Sequence, residues 1–247
     1  DYNDWDDEHT GLFTTSSDYL RIIQLAKLKD ITLEQQYNLK EHTQDVSVQK
    51  LKNLSSELES YKKAHGLIDY NDMILDFIKS DASPEFDVVF IDEAQDLSLM
   101  QWNMAKSIWN KTEDSYIAGD DDQAIFRWAG ADVNSFIAQT GKFLKLTESH
   151  RVPRVVHDVA MKIVKRISKR HHKEWKPKNK SGSLSYYHNF QDIDMSSGEW
   201  YVLARTRHML TKLENVLSSK GLYYRNKFKK DYEKDLHEAI IDWEKWR

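Results

Sequence analysis

The 247-residue chain sets 36 Lys and Arg against 40 Asp and Glu, for a formal net charge of −4, so its overall charge does not advertise a nucleic-acid partner. It holds no cysteine, which excludes disulfides, cysteine-zinc sites and thiol nucleophiles and fits a reducing, cytoplasmic compartment. No run reaches the roughly 18 apolar residues of a membrane helix, no signal peptide opens the chain, and eight glycines and three prolines argue against linkers.

The first ten residues, DYNDWDDEHT, carry five acids and no Lys or Arg and match no element, leaving Tyr2 and Trp5 exposed unless another segment covers them. From Leu20 to Tyr61 the pattern is helical. Ile22, Ile23, Leu25, Ala26 and Leu28 predict one helix, and Thr32 predicts the N-cap of a second. Val48, Leu51, Leu54, Leu58 and Tyr61 recur every three to four residues, which predicts an amphipathic third. A helix near Tyr70 to Ile78 follows. The next elements alternate: strand Phe86 to Ile91, helix Leu99 to Asn110, strand Ser115 to Ala118, helix Val133 to Thr140 and strand Phe143 to Leu146. That order predicts an α/β fold with a parallel sheet. A helix then runs from past Arg151 to about Arg170. A new sheet is expected from Ser183 to His188, Glu199 to Ala204 and Leu222 to Arg225, with a helix at Arg207 to Ser219 and a last one over Asp231 to Trp246. The domain boundary falls near Ser149 to Pro153. Between Lys162 and Lys180 nine Lys and Arg accompany one acid, a local stripe that either meets phosphates or forms a solvated face.

Two acidic strand ends carry the chemistry. The apolar run Val88-Val89-Phe90-Ile91 stops at Asp92-Glu93, and carboxyl ends of parallel strands are where open α/β sheets bind ligands. An Asp there can hold hydrated Mg²⁺, and an adjacent Glu can activate a water. The plainer reading makes both acids caps of the next helix. The second run, Tyr116-Ile117-Ala118, leads into Gly119, Asp120, Asp121, Asp122 and Gln123. Gln123 suits a γ-phosphate sensor, since an amide can donate to phosphate and accept from water. Phe126 and Trp128, two apart in a polar context, are either stacking platforms for single-stranded bases or core packing.

FDVVFIDEAQD and GDDDQAIFRWAGA resemble motifs II and III of superfamily 1 DNA helicases of the UvrD/Rep/PcrA type. LTESHRVPRVVHDVA resembles motif IV, VLARTRHMLTKLENVLSSKGLYYR is similar to the first strand-helix-strand unit of the second motor domain, and GLIDYNDMI resembles the segment before motif II. About two thirds of the chain is covered. The resemblance implies a P-loop NTPase fold: residues 1–148 as part of a first RecA-like motor domain with a helical insertion at about 18–65, and residues 149–247 as the start of a second. It implies an ATP- and Mg²⁺-dependent DNA helicase moving 3′ to 5′ on single-stranded DNA and at single-strand/duplex junctions. By the same resemblance Asp92 holds Mg²⁺ and Glu93 is the catalytic base. Gln95, at the nucleotide site, and Asp96 complete motif II and support its geometry, and Asp120 and Asp121 shape motif III. Gln123 links γ-phosphate to DNA, Arg151 reaches the γ-phosphate across the domain cleft, and Phe126 and Trp128 stack on bases.

Departures are visible. Ala129 stands where the family has Arg, with Arg127 available to move that charge, and His150 stands where it has Tyr, which reads as packing or aromatic substitution. The adjacent His171-His172 lacks a third ligand and reads as exposed surface rather than a metal site. No two glycines stand five apart, so the phosphate-cradling G-x-x-x-x-G-K-[ST] loop is missing, as are motifs V and VI. The chain therefore reads as an internal piece of a helicase, without ATPase activity of its own. The alternative is a non-catalytic nucleic-acid-binding module with a degenerate NTPase fold. Nothing in it resembles a nuclease site.

Overall fold

The computed structural model describes residues 17–42, 45–226 and 234–246. The expectations for Tyr2 and Trp5 lie outside them. Two compact units are present, residues 15–183 and a second built mainly of residues 184–247.

The larger unit opens with four helices. α1 (Asp18–Leu28) buries Ile22, Ile23, Leu25, Ala26 and Leu28, the stripe that its spacing predicts. α2 (Leu33–Asn38) starts at Thr32, whose hydroxyl accepts the Gln35 N–H while the Gln35 side chain takes the Thr32 N–H, a reciprocal capping box. α3 (Val48–His65) ends at Gly66, which takes the left-handed conformation that only glycine adopts at no steric cost. α4 (Tyr70–Ser80) is capped by Asp69. Ile22, Ile23, Val46 and Leu51 form a core under Tyr19, Leu20, Leu33 and Tyr37.

The sheet follows. β1 (Val88–Ile91) and β2 (Asp114–Ile117) run parallel, with Val88 opposite Asp114 and Ile91 opposite Ile117. Between them lies α5 (Leu99–Trp109), capped by Ser98 and Gln101 and burying Met100, Trp102 and Ala105. A helix between two parallel strands is the expected βαβ unit. α6 (Val133–Ile137) and α7 (Arg154–Val164) complete this unit.

Several sequence expectations give way. The run Phe143 to Leu146 is not a strand; Leu144 and Leu146 are each 88% exposed, and among the described residues no strand pairs with them. β propensity acts only where an adjacent strand satisfies the backbone. The same holds for Ser183 to His188, Glu199 to Ala204 and Leu222 to Arg225. The chain instead makes one short parallel bridge, Glu148 with Lys176, where Lys176 N–H donates to Thr147 C=O and Ser149 N–H to Lys176 C=O. α7 stops at Val164, short of Arg170, because Lys169 and Arg170 reach Asn134 and Asp122 from a non-helical segment.

The smaller unit contains α8 (Arg207–Ser219), which spans the expected residues and buries Leu213, Val216 and Leu217, and α9 (Lys234–Trp246). Lys220 Nζ ties the end of α8 to the Gln191 carbonyl at 2.8 Å.

Candidate functional site

The register of β1 and β2 brings both acidic segments to one edge of the sheet. Ala118 N–H donates to Ile91 C=O at 2.7 Å, and Ala94 N–H returns to Ala118 C=O at 3.0 Å, so the strands end side by side. Asp92 and Glu93 follow β1 with both side chains exposed. Glu93 sits at φ 50°, left-handed. For a residue with a Cβ that conformation costs on the order of 1–2 kcal/mol, and such outliers cluster where the surroundings enforce them for function. Asp92 Oδ1 accepts the Glu93 N–H at 2.8 Å. The residue itself is exposed at the strand end, as a carboxylate that takes a hydrated divalent cation requires.

Gln95 joins the two strand ends. It is 2% exposed. Its Nε2 donates to Glu93 Oε2 at 2.8 Å and, more weakly, to Asp96 Oδ2 at 3.3 Å. Its Oε1 accepts the Asp120 N–H at 2.9 Å. The amide can approach so closely because residue 119 is glycine: a Cβ there would lie 2.6 Å from Gln95 Oε1 and 2.9 Å from the Phe136 ring. Burial, and next the charge of Glu93, push the Asp96 carboxyl above its usual range despite the Gln95 hydrogen bond.

Beyond Gly119 the chain makes a single turn, Asp121–Gln123, opened by Asp120, whose side chain accepts the Asp122 N–H. Gln123 is exposed, and its Nε2 donates to Asp120 Oδ2 at 2.5 Å. The three aspartates offer oxygens within 4.8 Å of one another, the spacing of a metal site. Their cations here are protein side chains. Arg170 donates from Nε and Nη2 to Asp122 at 2.6 and 2.7 Å, and Lys173 Nζ reaches Asp120 Oδ1 at 2.5 Å, Asp122 Oδ2 at 3.2 Å and Asp121. Burial alone would raise the Asp122 carboxyl, but Arg170 and Lys173 outweigh it and hold the group below its usual range. Sequence reading located the basic stripe and left its partner open; the segment 48 or more residues away that it meets had no local signal.

Phe126 and Trp128 are half-buried, with ring centroids 6.3 Å apart and planes at 53°. The tight turn between them places Gly130 against α1, where a Cβ would meet Leu28 at 3.2 Å. Arg151 is exposed in the bend before α7, and its guanidinium pairs with none of these groups among the described residues. His150 is exposed rather than packed. His171, expected at the surface, is half-buried against Phe136 and Phe143, with ring centroids 6.4 and 5.5 Å away, because its backbone N–H is drawn to Asp121 Oδ2 at 2.6 Å. An open cleft of about 340 Å³ lies beside Gly130, lined by Lys29, Glu41, Arg127 and Asn134 among others and by none of the acidic strand ends. No helix among the described residues is long and apolar enough to cross a membrane.

Comparison with known proteins gives this arrangement a family. The UvrD/REP helicase N-terminal domain matches residues 4–144, more than half of the chain and the whole of both acidic segments. The ATP-dependent DNA helicase PcrA of Bacillus subtilis (strain 168) is 26% identical over 173 residues, covering 64% of this chain and 23% of PcrA. The ATP-dependent DNA helicase srs2 of Schizosaccharomyces pombe is 24% identical over 198 residues, 66% of this chain and 22% of that protein. A probable DNA helicase II homolog of Mycoplasma capricolum is 24% identical over 157 residues, 61% and 21% respectively. The chain thus spans under a quarter of the length of these relatives. With matched residues that include β1, β2 and the Gln95 bridge between them, the chain belongs to the UvrD/REP helicase N-terminal domain family.

Proposed function

We propose that the chain is the part of an ATP-dependent DNA helicase in which nucleotide hydrolysis meets single-stranded DNA. The observation that carries this reading is the Gln95 amide, which ties the Asp92-Glu93 end of one strand to the Asp120–Gln123 turn of the next. A phosphate-sensing turn and a water-activating pair must move as one if hydrolysis is to be coupled to DNA. In this reading residues 1–148 contribute to a first RecA-like motor domain, with a helical insertion at about 18–65, and residues 149–247 to a second. Asp92 would hold Mg²⁺, and Glu93 would take the proton of the attacking water. Gln95 and Gln123 orient that pair toward the γ-phosphate of ATP, and Arg151 approaches the phosphate from the second domain. Bound Mg²⁺ would neutralise the charge of the phosphates. Phe126 and Trp128 carry successive bases, each stack worth about 1–3 kcal/mol. The motor steps 3′ to 5′ and opens duplex at single-strand junctions. Its relatives PcrA and srs2 are ATP-dependent DNA helicases. Since the residues here include no G-x-x-x-x-G-K-[ST] loop, they bind and hydrolyse ATP only when joined to one.

The rival reading is a non-catalytic nucleic-acid-binding module. It draws on the pairing of Asp121 and Asp122 with Lys173 and Arg170, which makes those carboxylates structural.

Titration of a fluorescent single-stranded oligonucleotide tests the DNA surface. The chain is expected to bind in a salt-sensitive way, and Phe126→Ala/Trp128→Ala to weaken binding by about thirtyfold or more, the low end of two lost stacks. Affinity unchanged by that double substitution would remove the aromatics from the DNA site. Joining the chain to the loop-bearing segment of a relative separates the two readings: turnover that Glu93→Gln abolishes supports the helicase, and no turnover supports the module.

A further inference from the structure

Three consecutive aspartates cannot be packed together without cations, and here two of them are nearly enclosed, with side-chain exposures of 2% for Asp121 and 6% for Asp122. Enclosed carboxylates persist only when each is paired and hydrogen-bonded. Both cations come from the basic segment after α7. Arg170 grips Asp122 with two parallel N–H bonds, the geometry a guanidinium fork matches and an ammonium does not. Lys173 touches all three carboxylates. The backbone N–H of His171 takes the remaining oxygen of Asp121. Three residues of one segment therefore hold three of the other, 48 or more positions away.

The tie extends to Gln123. Asp120 divides its two oxygens: Oδ1 receives Lys173 and the Asp122 N–H, while Oδ2 receives the Gln123 amide. The direction of the Gln123 side chain is set by a carboxylate whose own direction is set by Lys173. We propose that Arg170 and Lys173 are positioning residues for Gln123, so that part of the basic stripe serves the nucleotide side of the site rather than DNA phosphates. The proposal takes the role of Gln123 from the helicase reading, but the tie itself needs neither ATP nor DNA to be observed.

The Gln123 side-chain amide is a direct reporter in ¹H–¹⁵N spectra of the whole chain, assigned by its disappearance in Gln123→Glu. In the unaltered protein one amide proton is expected far downfield and slow to exchange. In Lys173→Gln and in Arg170→Gln it moves to the position of a free amide and exchanges about tenfold faster, the equivalent of one lost hydrogen bond. The Gln49 amide, bonded to Asn53 on α3, stays where it was and reports an intact fold. Lys173→Arg, which keeps the charge, restores most of the displaced signal. Should either single substitution unfold the protein, the neutral pair Arg170→Gln/Asp122→Asn removes the Arg170 half of the tie without leaving a lone charge, and a smaller displacement in the same direction is expected. An unmoved Gln123 signal in folded Lys173→Gln, or in the neutral pair, overturns the proposal. Either result leaves the helicase reading to the oligonucleotide titration and to turnover by the loop-joined chain.

Discussion

Two clusters of charge in the larger unit use the same physics to different ends. In the first, Lys62 Nζ meets Asp72 at 2.6 Å, Glu59 at 2.9 Å and Asp69 at 3.1 Å, while Lys27 meets Glu59 at 2.7 Å and Asp72 at 2.9 Å. The acids come from α3, α4 and the α4 cap, the lysines from α1 and α3, and each side chain is spent on another member of the cluster. In the second, Arg170, Lys173 and the His171 N–H together satisfy Asp121 and Asp122, but Asp120 still carries Gln123, and through Gln95 the chain of bonds runs on to Glu93 and stops at exposed groups. A saturated cluster is architecture: it clamps three helices and offers nothing to a ligand. A cluster with ends left over is where chemistry can attach.

That contrast breaks most sharply at Lys62. Lys62→Met removes the shared cation of three carboxylates and leaves only Lys27 nearby; a loss of about 3 kcal/mol in urea unfolding is expected, with oligonucleotide affinity unchanged. A change in affinity without a loss of stability would make the first cluster functional after all.

Acid sharpens the comparison next. Burial raises the Asp72 carboxyl, but Lys62, the Asp69 backbone and Lys27 more than reverse this and hold it far below its usual range; Asp122 is lowered in the same sense. Carboxyls with depressed folded pKa values contribute stability that is present above their unfolded value, near 4, and is lost as pH falls through the folded value. Raised Asp96 works in the opposite direction, disfavouring the fold as pH rises past its unfolded value. Thermal melts are therefore expected to fall steeply below about pH 4, and Asp72→Asn to flatten much of that limb at the cost of a lower plateau. An unchanged acid limb in Asp72→Asn would show the first cluster to be electrostatically idle.

The smallest effect comes at Glu93. Glu93→Gly relieves the left-handed backbone and is expected to raise stability by up to about 1 kcal/mol. A loss instead would mean that the hydrogen bond from Gln95 outweighs the strain.

Sequence reading reached the first cluster only as helices and the second only as halves. The stripe of α1, the presence of α3 and α5, the Thr32 cap and the two acidic strand ends were legible because each is written within a few residues, though Leu54 and Tyr61 of the period expected on α3 are exposed. The strands expected at Phe143 to Leu146 and Glu199 to Ala204 were not real, since an apolar, β-branched run states a preference and not a partner. The basic segment was visible as composition, but what it touches depends on how residues 147–155 and 176–181 lie together, through bonds such as Lys178 N–H to Val152 C=O and Arg154 N–H to Lys180 C=O. No local pattern encodes that. Gln95 stood in the right motif, but its two hydrogen bonds, one to each strand end, needed Gly119 to be seen beside it in space.

Gln95 has a further consequence. A side-chain amide is a key with two unlike teeth, and this one is cut to a lock that accepts it one way round. Turned by half, its oxygen would face the Glu93 carboxylate and its NH₂ the Asp120 N–H, like against like at both ends. Seated this way round, the amide favours both contacts at once and adds a side-chain latch to the backbone bonds that already join the two strand ends.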